Sequence, residues 1–262
     1  MSADAGDDPW AALAPAFVDR HYASVRGRTR THVIDTHLRW HVPAPPAPIV
    51  DIGGGAGTQS LPLARRGHPV TIVDPSEAML GRARSALANE PADVADRVEL
   101  VRATGADAVD LLGAARYAGV LCHGVISYLD DPAPLVVALC ALVRPGGIVS
   151  ILAKNAATMA VRPAFEGRWR AALHAFDATG EVNALGVPTR GDTVDGLAGL
   201  MADHDVALVD WYGVRLFVEA WPVDRDIPGD VDDLLAVELE ASRRDPYRQL
   251  SRLFHVVGRR SG

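Results

Sequence analysis

The chain has 262 residues, 48% of them hydrophobic, and a formal net charge of −7 from 26 basic and 33 acidic side chains. That length suffices for one large α/β core, or for a core with a small cap, and no apolar run is long enough for a membrane span. The acidic balance does not draw the whole protein to nucleic acid, so any such contact needs a local basic face.

Met1 to Trp10 is acidic and polar, unlike a secretory signal, and a cytoplasmic location is expected. From about Pro9 to His41 the apolar residues Trp10, Leu13, Phe17, Val33 and Leu38 recur at helical spacing, with a break near Gly27. The run Pro43 to Pro48 cannot continue a helix. Residues 1–48 therefore read as a helical lid ahead of a core.

Ile49 to Ile52 is a short apolar strand carrying an acid, Asp51, and it runs into Gly53-Gly54-Gly55, where missing Cβ atoms let a ligand approach the main chain. A helix is expected from near Thr58. Asp74, at the end of the next strand Val70–Asp74, lies about 20 residues beyond the first glycine, where a carboxylate can accept hydrogen bonds from ribose hydroxyls. The sixth position from Gly53 is Thr58 and not glycine, which argues against a dinucleotide such as NAD. An adenosine-bearing cofactor is expected.

Strands follow near Val98–Arg102, Tyr117–His123 and Gly147–Lys154, with helices between them, the pattern of a parallel sheet covered on both faces. Pro145-Gly146 sets a turn before the fifth strand. Cys122 falls in a central strand and Cys140 in a helix, which favours two buried thiols over a disulfide or a metal site. His37 and His41 share a helical face, but no third ligand completes a zinc set, and no metal is expected.

Residues 49–154 thus form the core, and 155–190 lose the strand and helix alternation. This insertion carries Phe165, Trp169 and Phe176 among Arg168, Arg170 and His174, and is placed over the carboxyl edge of the sheet as a substrate cap. Residues 191–262 complete the sheet, with a helix at Thr193–Met201, a strand at Val206–Phe217, a helix at Asp230–Ser242 and a final strand beginning near Arg252.

Asp51-Ile-Gly-Gly-Gly-Ala-Gly57, Asp74 in Val-Asp-Pro-Ser-Glu-Ala-Met79, Arg102-Ala-Thr-Gly-Ala-Asp107 and Val143-Arg-Pro-Gly-Gly147 together resemble the class I S-adenosylmethionine-dependent methyltransferases. That resemblance implies a Rossmann-like α/β fold of seven strands, mostly parallel with the last antiparallel. Phe17-x4-Tyr22-x4-Gly27-x2-Arg30, Leu121-Cys-His123, Asn155, Gly213 to Phe217, Glu238-Leu-Glu240 and Asp245-Pro-Tyr-x2-Leu-x-Arg-x2-His-Val256 further resemble the tRNA carboxymethoxyuridine methyltransferase family. By that resemblance Arg30, Gly53, Gly54, Asp74, Gly105, Ala106 and His123 fall at cofactor contacts. Asp51, Gly55 and Met79, the last against adenine, complete the expected S-adenosyl-L-methionine site.

The acceptor stays open between tRNA and a small molecule, and the leading arm leaves a homodimer open. If the acceptor is a carboxylate, no general base is needed, and Arg215, Arg252 and Tyr247 are the candidates to orient it. If it is an alcohol or an amine, His123, Tyr128 and His255 are candidate bases, although a structural contact for His123 and a core position for His255 are the stronger readings. Arg243 and Arg248 would meet RNA phosphates. Glu181 to Pro188, in the cap, offers no basic residue to do so.

Overall fold

The computed structural model describes residues 22–183, 186–222 and 224–262; the helical reading of Pro9 to Phe17 lies outside them. The first helix, α1 (Val25–His41), is capped by Ser24, whose hydroxyl accepts from the Gly27 amide at 3.2 Å. Gly27 sits in the first turn of a continuous helix and causes no break, because a glycine there costs little once the helix is pinned on both sides of it. The buried stripe of α1 holds Val33, Ile34 and Leu38, and with them Arg26, Arg30 and His37.

The central sheet contains β1 (Ile49–Ile52), β2 (Val70–Val73), β3 (Val98–Val101), β4 (Tyr117–His123), β5 (Val143–Lys154), β8 (Val206–Val214) and β9 (Leu253–Arg260). Their order is β3-β2-β1-β4-β5-β9-β8; β1 to β5 are parallel, and β9 runs antiparallel between β5 and β8. The order reverses between β1 and β4, which opens a crevice at their carboxyl ends. β1, β2 and β4 are buried throughout, as expected for strands covered on both faces.

Val33, Ile34 and Leu38 of α1 pack with Ile49, Ile72, Leu121 and Leu152 on one face of the sheet. On the other face Val50, Val120, Val149 and Ile151 meet α6 (Ala133–Leu142) and α9 (Val194–Ala202) through Leu139 and Leu197. Cys122 and Cys140 are buried free thiols in β4 and α6. β8 stops at Val214, three residues short of the expected Phe217, because Arg215 turns into the left-handed region at φ 64°. No helix among the described residues is long and apolar enough to cross a membrane.

After β5 the insertion holds two short helices, α7 (Val161–Phe165) and α8 (Trp169–Ala175), and a hairpin of β6 (Gly180–Val182) and β7 (Pro188–Arg190). Its base is closed by Ala156 N donating to Asp192 O at 2.9 Å and Asp192 N donating to Lys154 O at 2.9 Å. The Asn155 amide ties it to the C-terminal segment by donating to the carbonyls of Gln249 and Ser251 at 3.2 and 3.1 Å.

Asp51 in β1 is 2% exposed and accepts a hydrogen bond from the Ser60 hydroxyl of α2 (Ser60–Arg65) at 2.6 Å. Burial pushes its carboxyl up to about 6, against the opposing effects of Ser60 and Arg30. The unfolded chain releases this proton near pH 4 and the folded chain only near pH 6, so stability should fall as pH rises through that window and level off above it. The loss is about 3 kcal/mol at about 1.4 kcal/mol per unit. Asp51→Asn should flatten the slope and melt higher than the native chain at pH 8; equal slopes for the two in thermal melts between pH 4 and 8 would contradict this.

Candidate active site

The crevice is floored by the turn after β1. Gly53 and Gly55 have φ of 72° and 55°, and a Cβ on Gly53 would stand 2.2 Å from Val125 Cγ2. Backbone is thereby exposed at the sheet edge where any side chain would intrude. Asp74, just past β2, is 6% exposed; its Oδ2 accepts from Gly55 N and its Oδ1 from Ser76 N, both at 2.9 Å. Those bonds fix the carboxylate in place, and two carboxylate oxygens retain further acceptor capacity for a diol.

Met79, in α3 (Glu77–Leu87), is buried beside the turn; a Cβ on Gly55 would reach its Cε at 2.6 Å. Gly105 and Ala106 follow β3, and Gly105 packs so tightly that an added Cβ would meet Leu135 Cδ1 at 2.4 Å. Arg30 reaches down from α1, 6% exposed, and donates through Nη2 to the His123 carbonyl at 3.1 Å. The residues read from the sequence as cofactor contacts are therefore gathered along the carboxyl ends of β1 to β4.

A second feature lies one helical turn from Arg30 along the same face of α1. Arg26 donates through Nη2 to the Trp221 carbonyl and lies near enough to Glu219, Arg215 after β8 and Arg162 of α7 for their charges to act on it. Arg215 pairs with Glu219, Arg252 with Glu181, and Lys154 with Glu181 at 2.8 Å. Arg162 Nη1 and Arg252 Nε lie 3.6 and 3.8 Å from Glu219 Oε1. Burial alone would raise the Glu181 carboxyl, but Arg252 and Lys154 outweigh it and hold it below its ordinary value. Burial likewise lowers the Lys154 amine.

Five cations thus surround Glu181 and Glu219, with Glu166 shared between Arg162 and the exposed Arg168. Arg26 and Arg215 are 4% and 7% exposed, and the Nε of each is buried without a hydrogen-bond partner among the described residues. Glu219 Oε1 is buried without a hydrogen-bond partner as well, but five cations facing Glu181, Glu219 and Glu166 leave positive charge in excess, and an anion suits that excess. The backbone that carries Arg215 is itself pinned, since Glu238 in α10 (Val231–Ser242) accepts from Leu216 N at 3.0 Å and Val218 N at 2.9 Å.

Arg215 and Arg252 were read from the sequence and meet in this knot; Lys154, Glu181, Glu219, Arg162 and the placement of Arg26 were not foreseen. Two signals pointed to them: Lys154 is the single lysine of the chain and ends β5, and Arg26 stands four residues before Arg30. Tyr247 stays outside, 47% exposed and edged against Phe217. Trp169 and Phe176 are 69% and 74% exposed, so they point away from any pocket under the cap.

Arg243 and Arg244 share Glu240, and Arg248 is paired with Asp245 while lying over Trp211, so local carboxylates already offset much of the charge of these arginines. Tyr128 is a poor base, because burial raises its phenol and keeps the proton on. His255 is wholly buried in β9, where burial drives it down to about 3, and no substrate can reach it. His123 is neutral for the same reason.

Residues 50–149 match a family model described as "Methyltransferase domain". The chain is 26% identical to the tRNA 5-carboxymethoxyuridine methyltransferase of Escherichia coli K12, covering 95% of this chain and 94% of that protein. A ubiquinone biosynthesis O-methyltransferase of Stutzerimonas stutzeri is 34% identical, over 38% of this chain and 41% of its own. The magnesium protoporphyrin IX methyltransferase of Synechocystis PCC 6803 shares the fold with a TM-score of 0.62 at 14% identity, covering 96% of both chains. With the family model lying over the very strands that frame the glycine turn and the two acids, this chain belongs to the class I S-adenosylmethionine-dependent methyltransferases.

Proposed function

We propose that the acceptor is a carboxylate, methylated on oxygen, and that a carboxymethoxy group on a tRNA wobble uridine is the first substrate to test. The knot of Arg26, Lys154, Arg162, Arg215 and Arg252 carries this reading, because its unpartnered buried donors suit an anion and it adjoins the cofactor crevice. The full-length similarity to the tRNA 5-carboxymethoxyuridine methyltransferase of Escherichia coli supports it.

The cofactor fits the crevice as built. Asp74 would take the ribose, the Gly53 to Gly55 turn and Gly105-Ala106 would pass close to the nucleoside, Met79 would pack on adenine, and Arg30 would pair with the amino-acid carboxylate. When bound, S-adenosyl-L-methionine supplies an electrophilic methyl on a sulfonium. Arg215 and Arg252 would aim one carboxylate oxygen at that methyl and exclude water around it, so positioning supplies most of the rate. No residue has to remove a proton.

A carboxylate-bearing metabolite is the second reading. It is favoured by the carboxylate pairing of Arg243, Arg244 and Arg248, which leaves less positive field for phosphates.

Two measurements bear on this. Asp74→Ala should weaken S-adenosylhomocysteine binding by about 10- to 100-fold in calorimetry, the loss of charge-assisted bonds to a diol; unchanged affinity would remove the ribose assignment. With methyl-labelled cofactor, tRNA bearing carboxymethoxyuridine should gain label that mild alkali releases, as an ester does. Arg215→Gln and Arg252→Gln should cut that transfer by about 100-fold or more while S-adenosylhomocysteine still binds. Alkali-stable label only, or transfer insensitive to both arginines, would overturn the carboxylate reading.

A further inference from the structure

His123, Leu152, His255 and Tyr212 are register partners across β4, β5, β9 and β8, so they form one row on the sheet face that α1 covers. Ser150, two residues before Leu152, bridges the row. His123 Nε2 lies 2.9 Å from Ser150 Oγ, and Ser150 Oγ lies 2.6 Å from His255 Nε2. His255 Nδ1 lies 3.1 Å from His37 Nδ1, and His37 Nε2 lies 2.9 Å from Ser242 Oγ. The line ends where the Ser242 hydroxyl meets the Leu239 carbonyl at 2.7 Å.

That end sets the direction of every bond. A carbonyl only accepts, so Ser242 spends its one proton on Leu239 and must accept from His37 Nε2–H. Burial keeps these imidazoles neutral, which leaves His37 Nδ1 bare. A nitrogen-to-nitrogen contact holds a single proton, and His255 Nδ1 supplies it. His255 Nε2 is then bare and accepts from Ser150, whose oxygen accepts from His123 Nε2–H. At the head of the line His123 Nδ1 is left as a lone pair, buried and without a partner among the described residues.

The line cannot carry a proton to water, since its far end is a carbonyl and both Ser242 and His37 are buried. Its effect is to orient. Beside His123 stands Arg30, already donating to the His123 carbonyl and suited to the cofactor's carboxylate. At the same end of the cofactor the ammonium is the group that donates.

We infer that Ser150, His255 and His37 are positioning residues that hold His123 as the Nε2–H tautomer, so that its Nδ1 offers a lone pair to the ammonium of the cofactor's amino-acid end. This rests on the methyltransferase identity alone and not on the carboxylate acceptor, and its test contains no acceptor. The failure of one reading therefore leaves the other standing.

Calorimetry on the full chain would compare S-adenosylhomocysteine with methylthioadenosine, which lacks the amino-acid end. Ser150→Ala should weaken the first about tenfold and leave the second unchanged. In a His123→Ala background the same substitution should have no further effect, because it acts only through that ring. Equal losses for both nucleosides, or a loss that persists without His123, would make Ser150 merely structural and overturn the inference. Nitrogen-15 spectra of the unsubstituted protein test it independently of any variant's folding: His123 and His37 protonated at Nε2 and His255 at Nδ1 are expected. A His123 ring protonated at Nδ1 would overturn it.

Discussion

The structure depends on one helix face that is asked to bury charge. In α1 the stripe that packs Val33, Ile34 and Leu38 against the sheet also presses Arg26, Arg30 and His37 into it. Apolar contact holds the helix down, at about 25 cal/mol per Å² of buried apolar surface, and each polar side chain in the stripe must then find a partner or cost several times an ordinary hydrogen bond. Arg26 finds the Trp221 carbonyl beside the ion knot, Arg30 the end of β4, and His37 the line of histidines. The crevice is therefore finished by α1; the sheet alone supplies only its floor.

The two polar assemblies under α1 solve the burial problem in opposite ways. Around Glu181 and Glu219 acidic and basic side chains lean on one another, an arrangement whose stability is modest because desolvation consumes most of the Coulomb gain. Among His123, His255 and His37 the groups shed charge and share single protons through Ser150 and Ser242. A charged cluster tolerates exchange of one anion for another, and a neutral line does not. The first suits a site that admits and releases a substrate, and the second a wall that has to keep its shape.

Much of this was legible in the residues. The alternation of strand and helix from Ile49 to Lys154 is a short-range pattern, and the buried strands could carry no other periodicity. Asp51, Asp74 and the glycine turn were legible because their spacing is set by a single strand-helix-strand unit. The ion knot was not, since its members come from α1, β5, α7, β6 and the ends of β8 and β9, and nothing local joins Arg26 to Glu219. The row from His123 to His255 needs the register of β9 against β5, which depends on chain hundreds of atoms apart. Tyr247 and the cap aromatics misled because a residue near a motif in sequence need not face it: Tyr247 follows a turn that carries it to the rim, and the short α8 is too small to bury Trp169 and Phe176.

Lys154 ends β5 with its amine enclosed by Glu181 and Thr189, and the sequence has no other lysine. Reagents aimed at ε-amines thus have one address in this protein, and it lies inside the ion knot. An acylating label would have to displace the bonds that Glu181 and Thr189 make to that amine, so its uptake would report how firmly they hold it. Guanidinium groups, which such reagents leave untouched, would stay silent in the same experiment.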